Sequence, residues 1–579
     1  MQIDFSLVAG GEAGQGVQTV GQMLAKVFVK GGRDVFVIQD FESRIRGGHN
    51  FTQIRVKDEP VYAIAEAIDL IIALDKQTID LHSDKLVEGG ALIFDSENVK
   101  IEPKTNLFGV PLGEIAIKEG GNKLYANTVA VAAALGLLKY DIEILNNVIN
   151  ESFGKRPEIA QNNIKAAKAG YEYVQKHFGH YNKYELKTIP DAPKKMLLTG
   201  TEAMALGAIA AGCKFVSAYP MSPSTGIITY LAGKAKEFGL VAEQAEDEIA
   251  AINLIIGAAC AGARAMTVTS GGGFSLMVEG LGLAGVMEVP IVIIEAQRPG
   301  PATGLPTRTA QADLEFVLHA SQDEFPRIIL APGTVEEAFY AMPKAFNLAE
   351  KYQLPVIVLS DQHLADSSMT VDKFDLSKVT IERHLLADEE VNLEEYKRYK
   401  ITESGVSPRA LPGQTRALVI NDSHEHSEDG HITEDPKIRT EMVLKRFRKL
   451  SGAKAEIKPP TFYGPDDAEV ILVGWGATYG AIREAVDILN GDGSAAVRNS
   501  AQRKMTVAMM HLSEIWPFPT ETISNILSKA KKLFAIEGNA TAQLAHLIRA
   551  ETGIAVTGKI LKFDGRPFSP GYIVREMDC

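Results

Sequence analysis

The chain has 579 residues, length for about four domains. Hydrophobic residues make up 46% and charged residues 23%, which excludes a disordered chain and a fibrous repeat. The formal charge of −13 argues against nucleic acid as the main partner, because phosphates would be repelled.

The first segment opens MQIDFSLVAGGEAGQG, without the basic region and cleavable apolar core of a signal peptide. Ile3 to Ala9 reads as a buried strand, Gly10 to Gly16 as a turn, and Val17, Val20, Leu24, Val27 and Phe28 as one face of a helix. That order opens an α/β unit. DVFVIQDF, NFTQIRV, LIIALD and ALIFDS continue as strands, and helices are expected near 126–139 and 159–177. A first domain over residues 1–185 ends before the linker TIPDAPKK.

From Lys195 strand and helix alternate at βαβ intervals: KFVSAYP, LVAEQAE, ARAMTVTS, VPIVIIEAQ and LPVIVLSDQ as strands, with helical stretches between them. This predicts a parallel sheet covered by helices over residues 195–375. Residues 376–462 are charged and weakly periodic, and read as a linker or excursion. AEVILVGWG, a helix from Ile482 to Leu489, TVAMMHL, KLFAIEG and a helix near 541–552 form a smaller α/β domain over 463–579. The fold class is therefore α/β, with three open-sheet domains. No run of about 18 apolar residues is free of charge, so no membrane span is expected.

Ligands of open parallel sheets bind beyond the carboxyl ends of the strands. Four strand ends of the second segment carry Tyr219-Pro220-Met221-Ser222-Pro223-Ser224-Thr225, then Glu246-Asp247-Glu248, then Thr269-Ser270-Gly271-Gly272-Gly273, then Gln297-Arg298-Pro299-Gly300-Pro301-Ala302-Thr303-Gly304. Each has a plain structural reading: stiff prolines in a turn, acidic partners of a helix start, glycines with positive φ, and a surface arginine pair. Their convergence on one rim reads as an active site.

Residues 195–315 resemble the α chain of 2-oxoacid:ferredoxin oxidoreductases, through YPMSPST, EDEIAAINLIIGAACAGARAMTVTSGGG and GPATGLPTRTAQADL. The first segment resembles the family's γ domain, with its glycine turn and Arg46-Gly47-Gly48. The last resembles its transketolase-C-like domain, with Trp516 to Pro519, Glu537 to Asn539 and Asp564 to Phe568. The fusion order and the stretch Gly430 to Asp435 are most similar to the 2-oxoglutarate branch.

The resemblance implies a thiamine diphosphate enzyme that converts a 2-oxoacid and coenzyme A to an acyl-CoA and CO2 while reducing ferredoxin. It puts the middle domain to the thiamine pyrimidine. Glu248 resembles the carboxyl group that activates this ring, with Glu246 the alternative. Thr269 and Ser270 fall beside the cofactor. Arg298 resembles the arginine that holds the substrate carboxylate, a task suited to a guanidinium fork. Tyr219, Ser222 and Thr303 line the substrate. Ser222 and Met221 replace the family's usual Thr and Ile, and Ala302 its commoner Ser. That keeps pyruvate, branched-chain and aryl 2-oxoacids open beside 2-oxoglutarate. A non-catalytic coenzyme A or nucleotide-binding scaffold is the alternative from another class. The retained Glu248, Arg298 and Ser222 argue against it.

The resemblance also assigns Gly14, Gln15 and Gly16 to coenzyme A. By residues alone that turn reads equally as structural, since its spacing matches no dinucleotide or phosphate-loop fingerprint. Gly491-Asp492-Gly493 is rejected as a diphosphate and Mg2+ motif, because Asn525 lies too far along. Cys213, Cys260 and Cys579 form no CxxC pair, which fits a reducing, cytoplasmic setting and leaves too few thiolates for a [4Fe-4S] cluster. Mg2+ and the cluster are thus expected on a separate β subunit, in an (αβ)2 assembly that reduces ferredoxin. The stretch from His424 to His431 lacks the spacing of a closed zinc site and reads as a polar loop.

Overall fold

The structure is a computed structural model that describes all residues except 1–2, 44–46, 102–105, 393–394, 414–415, 492–505 and 579. Arg46, Asp492, Gly493 and Cys579 therefore lie outside the described residues. The chain forms three open α/β sheets of eight, seven and five strands.

The first sheet is mixed. Asp4–Glu12 pairs in parallel with Ile68–Ala73 but antiparallel with His49–Lys57, which also pairs antiparallel with Asp34–Asp40. The connection between Asp34–Asp40 and His49–Lys57 is too short for the crossover a parallel pair needs, so the two form a hairpin. The ladder to His49–Lys57 carries Gly10, Gly11 and Glu12 as strand, opposite Phe51, Asn50 and His49. The turn expected from Gly10 thus begins only after Glu12. Two strands of the middle segment, Met196–Thr199 and Ser368–Val371, complete the edge of this sheet.

The second sheet runs in the order Glu514–Trp516, Ile328–Leu330, Val356–Asp361, Val292–Gln297, Ala265–Thr269, Phe215–Ala218, Val241–Gln244. Its central strands are parallel and wholly buried, as near-continuous apolar runs between two helical layers should be. The outermost strand, Glu514–Trp516, comes from the C-terminal segment and pairs antiparallel. The third sheet centres on Val470–Trp475, flanked in parallel by Val507–Leu512 and Lys532–Glu537.

Two further expectations are corrected. Gly271, Gly272 and Gly273 are not a positive-φ loop but the first turn of the helix Gly271–Val286. Their lack of a side chain serves close approach instead: a Cβ on Gly273 would fall 2.2 Å from Thr269 Oγ1 and 2.6 Å from Glu248 Oε1. The weakly periodic stretch before residue 462 contains the helix Pro436–Glu456, started by Asp435, whose carboxylate accepts the backbone N–H groups of Lys437 and Ile438. Its apolar pattern is weak because it buries lysines. Lys445 and Lys449 are both fully buried against Glu288, with Lys445 Nζ 2.6 Å from Glu288 Oε1. Burial alone would raise the Glu288 carboxyl, but the two ammonium groups and Arg398 hold it well below the usual range.

Candidate active site

The helix Glu248–Cys260 is capped by Asp247, whose carboxylate accepts the Ala250 N–H at 2.7 Å. This places Glu248 in the first helical position, only 3% exposed. Its Oε1 is buried and has no hydrogen-bond partner. A buried polar atom without a partner is costly, so such an atom marks a place for a group that supplies the missing bond. Ser270, the residue before the helix Gly271–Val286, is fully buried and its hydroxyl also lacks a partner. Thr269 Oγ1 donates weakly to the Ser270 carbonyl at 3.3 Å. Glu248 and Thr269 thus converge on Gly273, with the unpartnered Ser270 hydroxyl next in sequence, and these residues fit a cofactor ring that hydrogen-bonds Glu248.

The loop after Phe215–Ala218 is folded by Ser224. Its N–H and its hydroxyl both bond the Met221 carbonyl, at 2.9 and 2.7 Å. Sequence reading did not single out this buried serine. Tyr219 and Ser222 stay exposed on the rim. Arg298 reaches across from the end of Val292–Gln297, and its Nη1 donates to the Ser222 carbonyl at 2.7 Å. One face of its guanidinium fork is thereby fixed while the group stays half-buried. Burial lowers the pKa of Arg298, and the nearby Glu295 opposes that shift.

The loop beyond Arg298 closes through Leu305 N–H on the Pro299 carbonyl at 2.9 Å. Gly304 is required there, because a Cβ would lie 1.8 Å from the Pro299 oxygen. Ala302 holds φ 55°, a strained conformation for a residue with a side chain, of a kind that gathers at functional loops. Gly272 lies against both the Ala302 carbonyl and Met221 Sδ. Four strand ends therefore meet: the Met221–Ser222 loop, Glu248, the Thr269–Gly273 turn, and the Arg298–Gly304 loop. Thr303 is exposed on the last of these.

The segment leaving the rim is sewn to the other two sheets. Arg308 pairs with Asp40 of the first sheet at 3.0 Å, and Arg566 joins the same carboxylate at 3.2 Å. Gln311 bonds the Trp475 carbonyl at 2.8 Å, and its own carbonyl accepts Asn539 Nδ2 at 2.9 Å. Glu537 is fully buried at the start of the helix Gln543–Thr552, where it accepts the Leu544 and Ala545 N–H groups. The motifs around Glu537 and Asp564 thus anchor the segment that follows the Arg298–Gly304 loop.

Gly14, Gln15 and Gly16 lie in the turn that follows Asp4–Glu12 of the first sheet. Gln15 folds back so that its Oε1 accepts the Glu12 N–H at 2.8 Å, and Gly14 and Gly16 hold φ 96° and 81°. The helix Val17–Lys30 begins there without a side-chain cap. Asn127 fills the space beside Gly16, where a Cβ would fall 1.9 Å from its Nδ2. In the His424–His431 segment His426 is buried on Tyr399, while His424 and His431 pair with Asp422 and Asp429. Among the described residues, no three His, Cys, Asp or Glu side chains gather in a metal-holding group.

Sequence reading also passed over Glu295, which interrupts the apolar strand Val292–Gln297. A carboxylate inside a buried run was the available signal.

Comparison with known proteins matches residues 206–445 to a family described as pyruvate flavodoxin/ferredoxin oxidoreductase, thiamine diphosphate-binding. Residues 6–173 match pyruvate ferredoxin/flavodoxin oxidoreductase. The chain is 34% identical to the 2-oxoacid:ferredoxin oxidoreductase subunit alpha of a Sulfolobus species, over 97% of this chain and 95% of that one. It is 30% identical to the 2-oxoglutarate oxidoreductase subunit KorA of Mycobacterium tuberculosis, over 93% and 86%. A solved 2-oxoglutarate:ferredoxin oxidoreductase from Magnetococcus marinus, with 2-oxoglutarate, coenzyme A and succinyl-CoA bound, superposes with a TM-score of 0.91 at 32% identity, covering 99% of each chain.

Proposed function

The chain belongs to the 2-oxoacid:ferredoxin oxidoreductase alpha-subunit family, and from that premise we propose that it converts 2-oxoglutarate and coenzyme A to succinyl-CoA and CO2, with ferredoxin as electron acceptor. It is a subunit of a thiamine-diphosphate-dependent oxidoreductase that uses coenzyme A. The observation that supports a 2-oxoacid substrate is the meeting of a buried carboxyl with a free oxygen, Glu248, and a guanidinium fixed on one edge, Arg298, at one rim; the choice of 2-oxoglutarate is supported by the similarity to the KorA subunit and to the solved 2-oxoglutarate enzyme.

When bound, thiamine diphosphate supplies the nucleophilic carbon and electron sink that decarboxylation of a 2-oxoacid requires. Glu248 holds the pyrimidine ring through its free Oε1 and keeps or yields the proton of that hydrogen bond. The unpartnered Ser270 hydroxyl would be available for a second hydrogen bond to the bound group. Arg298 receives the carboxylate beside the ketone with the donors that Ser222 leaves unused. Tyr219, Ser222 and Thr303 border the reacting carbonyl. Gly14, Gln15 and Gly16, at an uncapped helix start, suit a phosphate of coenzyme A.

In this reading residues 1–185 are the γ-type domain, 195–375 the pyrimidine-binding domain and 463–579 the transketolase-C-like domain. The chain supplies half of the site. Tyr219, Val241, Ile249, Leu254 and Leu276 are all exposed apolar side chains on the elements that flank Glu248, and Val241–Gln244 is the edge strand of this sheet. Such an edge and patch favour a partner that covers them. We assign it to a β subunit that carries Mg2+, the diphosphate and a [4Fe-4S] cluster, in an (αβ)2 complex.

A panel of 2-oxoacids with the two-chain complex, thiamine diphosphate, coenzyme A and a low-potential dye tests the substrate. The 2-oxoglutarate reading requires the highest kcat/KM for that acid. A preference for pyruvate, a branched-chain or an aryl acid would replace it, and Met221 and Ser222 are where that difference would arise.

A further inference from the structure

Glu295 lies on the buried strand Val292–Gln297, three residues before Arg298, which follows the strand's end. Its side chain is 0% exposed, and neither carboxylate oxygen has a hydrogen-bond partner. In the ladder it stands opposite Thr269 on one side and Leu359 on the other. The strand after it brings Gln297 opposite Asp361, and Gln297 Oε1 accepts the Asp313 N–H at 3.0 Å. The charged groups that face Glu295 are therefore Asp313 from the loop before Leu314–His319, Asp361 from the end of Val356–Asp361, and Arg298 from the loop that follows its own strand. From Ala265–Thr269 only the uncharged Thr269 meets it.

Two carboxylates thus crowd a third that lacks any hydrogen bond, and the one cation among these groups, Arg298, points away to the Ser222 carbonyl at 2.7 Å. An ionised Glu295 in that place would be desolvated and repelled, with an inward turn of Arg298 as its relief. We propose that Glu295 is a positioning residue for Arg298: uncharged, it leaves the guanidinium on the Ser222 carbonyl and open to the substrate carboxylate, and charged, it draws the guanidinium inward and away from the substrate. This rests on the reading of Arg298 as the substrate's anion clamp. Burial first, then Asp313 and Asp361, push the Glu295 carboxyl well above its ordinary range, which favours its uncharged form. Asp313 and Asp361 are themselves raised to about 6.

The test compares the two-chain complex of the wild type with that of Glu295→Gln, an uncharged isostere, across pH. For the wild type, KM for 2-oxoglutarate rises at alkaline pH, by up to ~tenfold per pH unit, the limit for one proton. Glu295→Gln loses that rise while keeping any change that Asp313 and Asp361 cause in both proteins. An unchanged alkaline rise in the variant overturns the proposal. Infrared spectra of the chain without substrate provide a readout independent of turnover and of the variant's stability. The wild type shows the C=O stretch of a protonated carboxylic acid at neutral pH, which disappears on alkaline titration; its absence overturns the proposal. Arg298→Ala separates the two readings. If it leaves KM unaltered, the clamp reading fails, whereas the infrared band still reports on Glu295.

Discussion

Arg298 and Ser222 meet across the rim through a 2.7 Å hydrogen bond from the guanidinium to the Ser222 carbonyl. The bond joins the ends of two strands, Phe215–Ala218 and Val292–Gln297, that are separated in the sheet by Ala265–Thr269. It aims one edge of the fork and leaves the other for an anion. Arg298→Ala should therefore lower kcat/KM for the 2-oxoacid by about 2–5 kcal/mol, roughly 30- to 5000-fold. Arg298→Lys should restore only part of this, since an ammonium keeps the charge without the planar fork. Steady-state kinetics of the reconstituted complex read both.

Gly273 is placed so that Thr269 and Glu248 close over it. Gly273→Ala would put a methyl group 2.2 Å from Thr269 Oγ1 and 2.6 Å from Glu248 Oε1, in a fully packed site. The expected cost is about 1–3 kcal/mol of stability from overpacking, with a larger fall in turnover than in substrate affinity because Glu248 is displaced. Denaturant unfolding and the split between kcat and KM test these together.

Much of this rim was legible in the sequence because it is built on strand ends, and most strands there are largely apolar. The four loops, Glu248, Arg298 and Ser222 all followed from that pattern and from the family resemblance. What the sequence concealed are pairings between distant segments. Met196–Thr199 and Ser368–Val371 are short strands whose partner is the sheet of the first segment, and Glu514–Trp516 crosses to the second sheet. Local periodicity cannot reveal which sheet a three- or four-residue strand joins. The helix Pro436–Glu456 was hidden for a different reason. Its buried face includes Lys445 and Lys449, and buried lysines imitate a solvated surface until Glu288 is seen between them. The glycines at 271–273 misled because close packing and positive φ call for the same residue.

That buried triad gives a stability prediction. Glu288→Ala leaves two buried ammonium groups without their counter-charge and should cost about 3–5 kcal/mol. Replacing Glu288, Lys445 and Lys449 together by apolar residues should cost far less, since no charge is then stranded. Urea unfolding of the single and triple variants measures the difference.

Asp313 sets a pH dependence. Burial raises its carboxyl from 3.8 to about 6 in the folded chain. The folded state then holds the proton more tightly than the unfolded state. Its stabilising contribution is complete below about pH 4 and is lost as pH rises through 6. Asp313→Asn cannot ionise, so its stability relative to the wild type should grow between pH 4 and 6 and level off above, by no more than about 3 kcal/mol. Melting curves over that range would show a flat difference if burial of Asp313 had no such effect.

Turnover by the two-chain complex carrying either wild-type Glu248 or Glu248→Gln reads most directly whether this chain lends the group that activates thiamine. With 2-oxoglutarate, coenzyme A and thiamine diphosphate, the wild-type complex should reduce a low-potential dye, and Glu248→Gln should be slower by at least ~100-fold with its fold intact by circular dichroism. Near-normal turnover by Glu248→Gln, or full turnover by this chain without its partner, would contradict a site shared between two polypeptides.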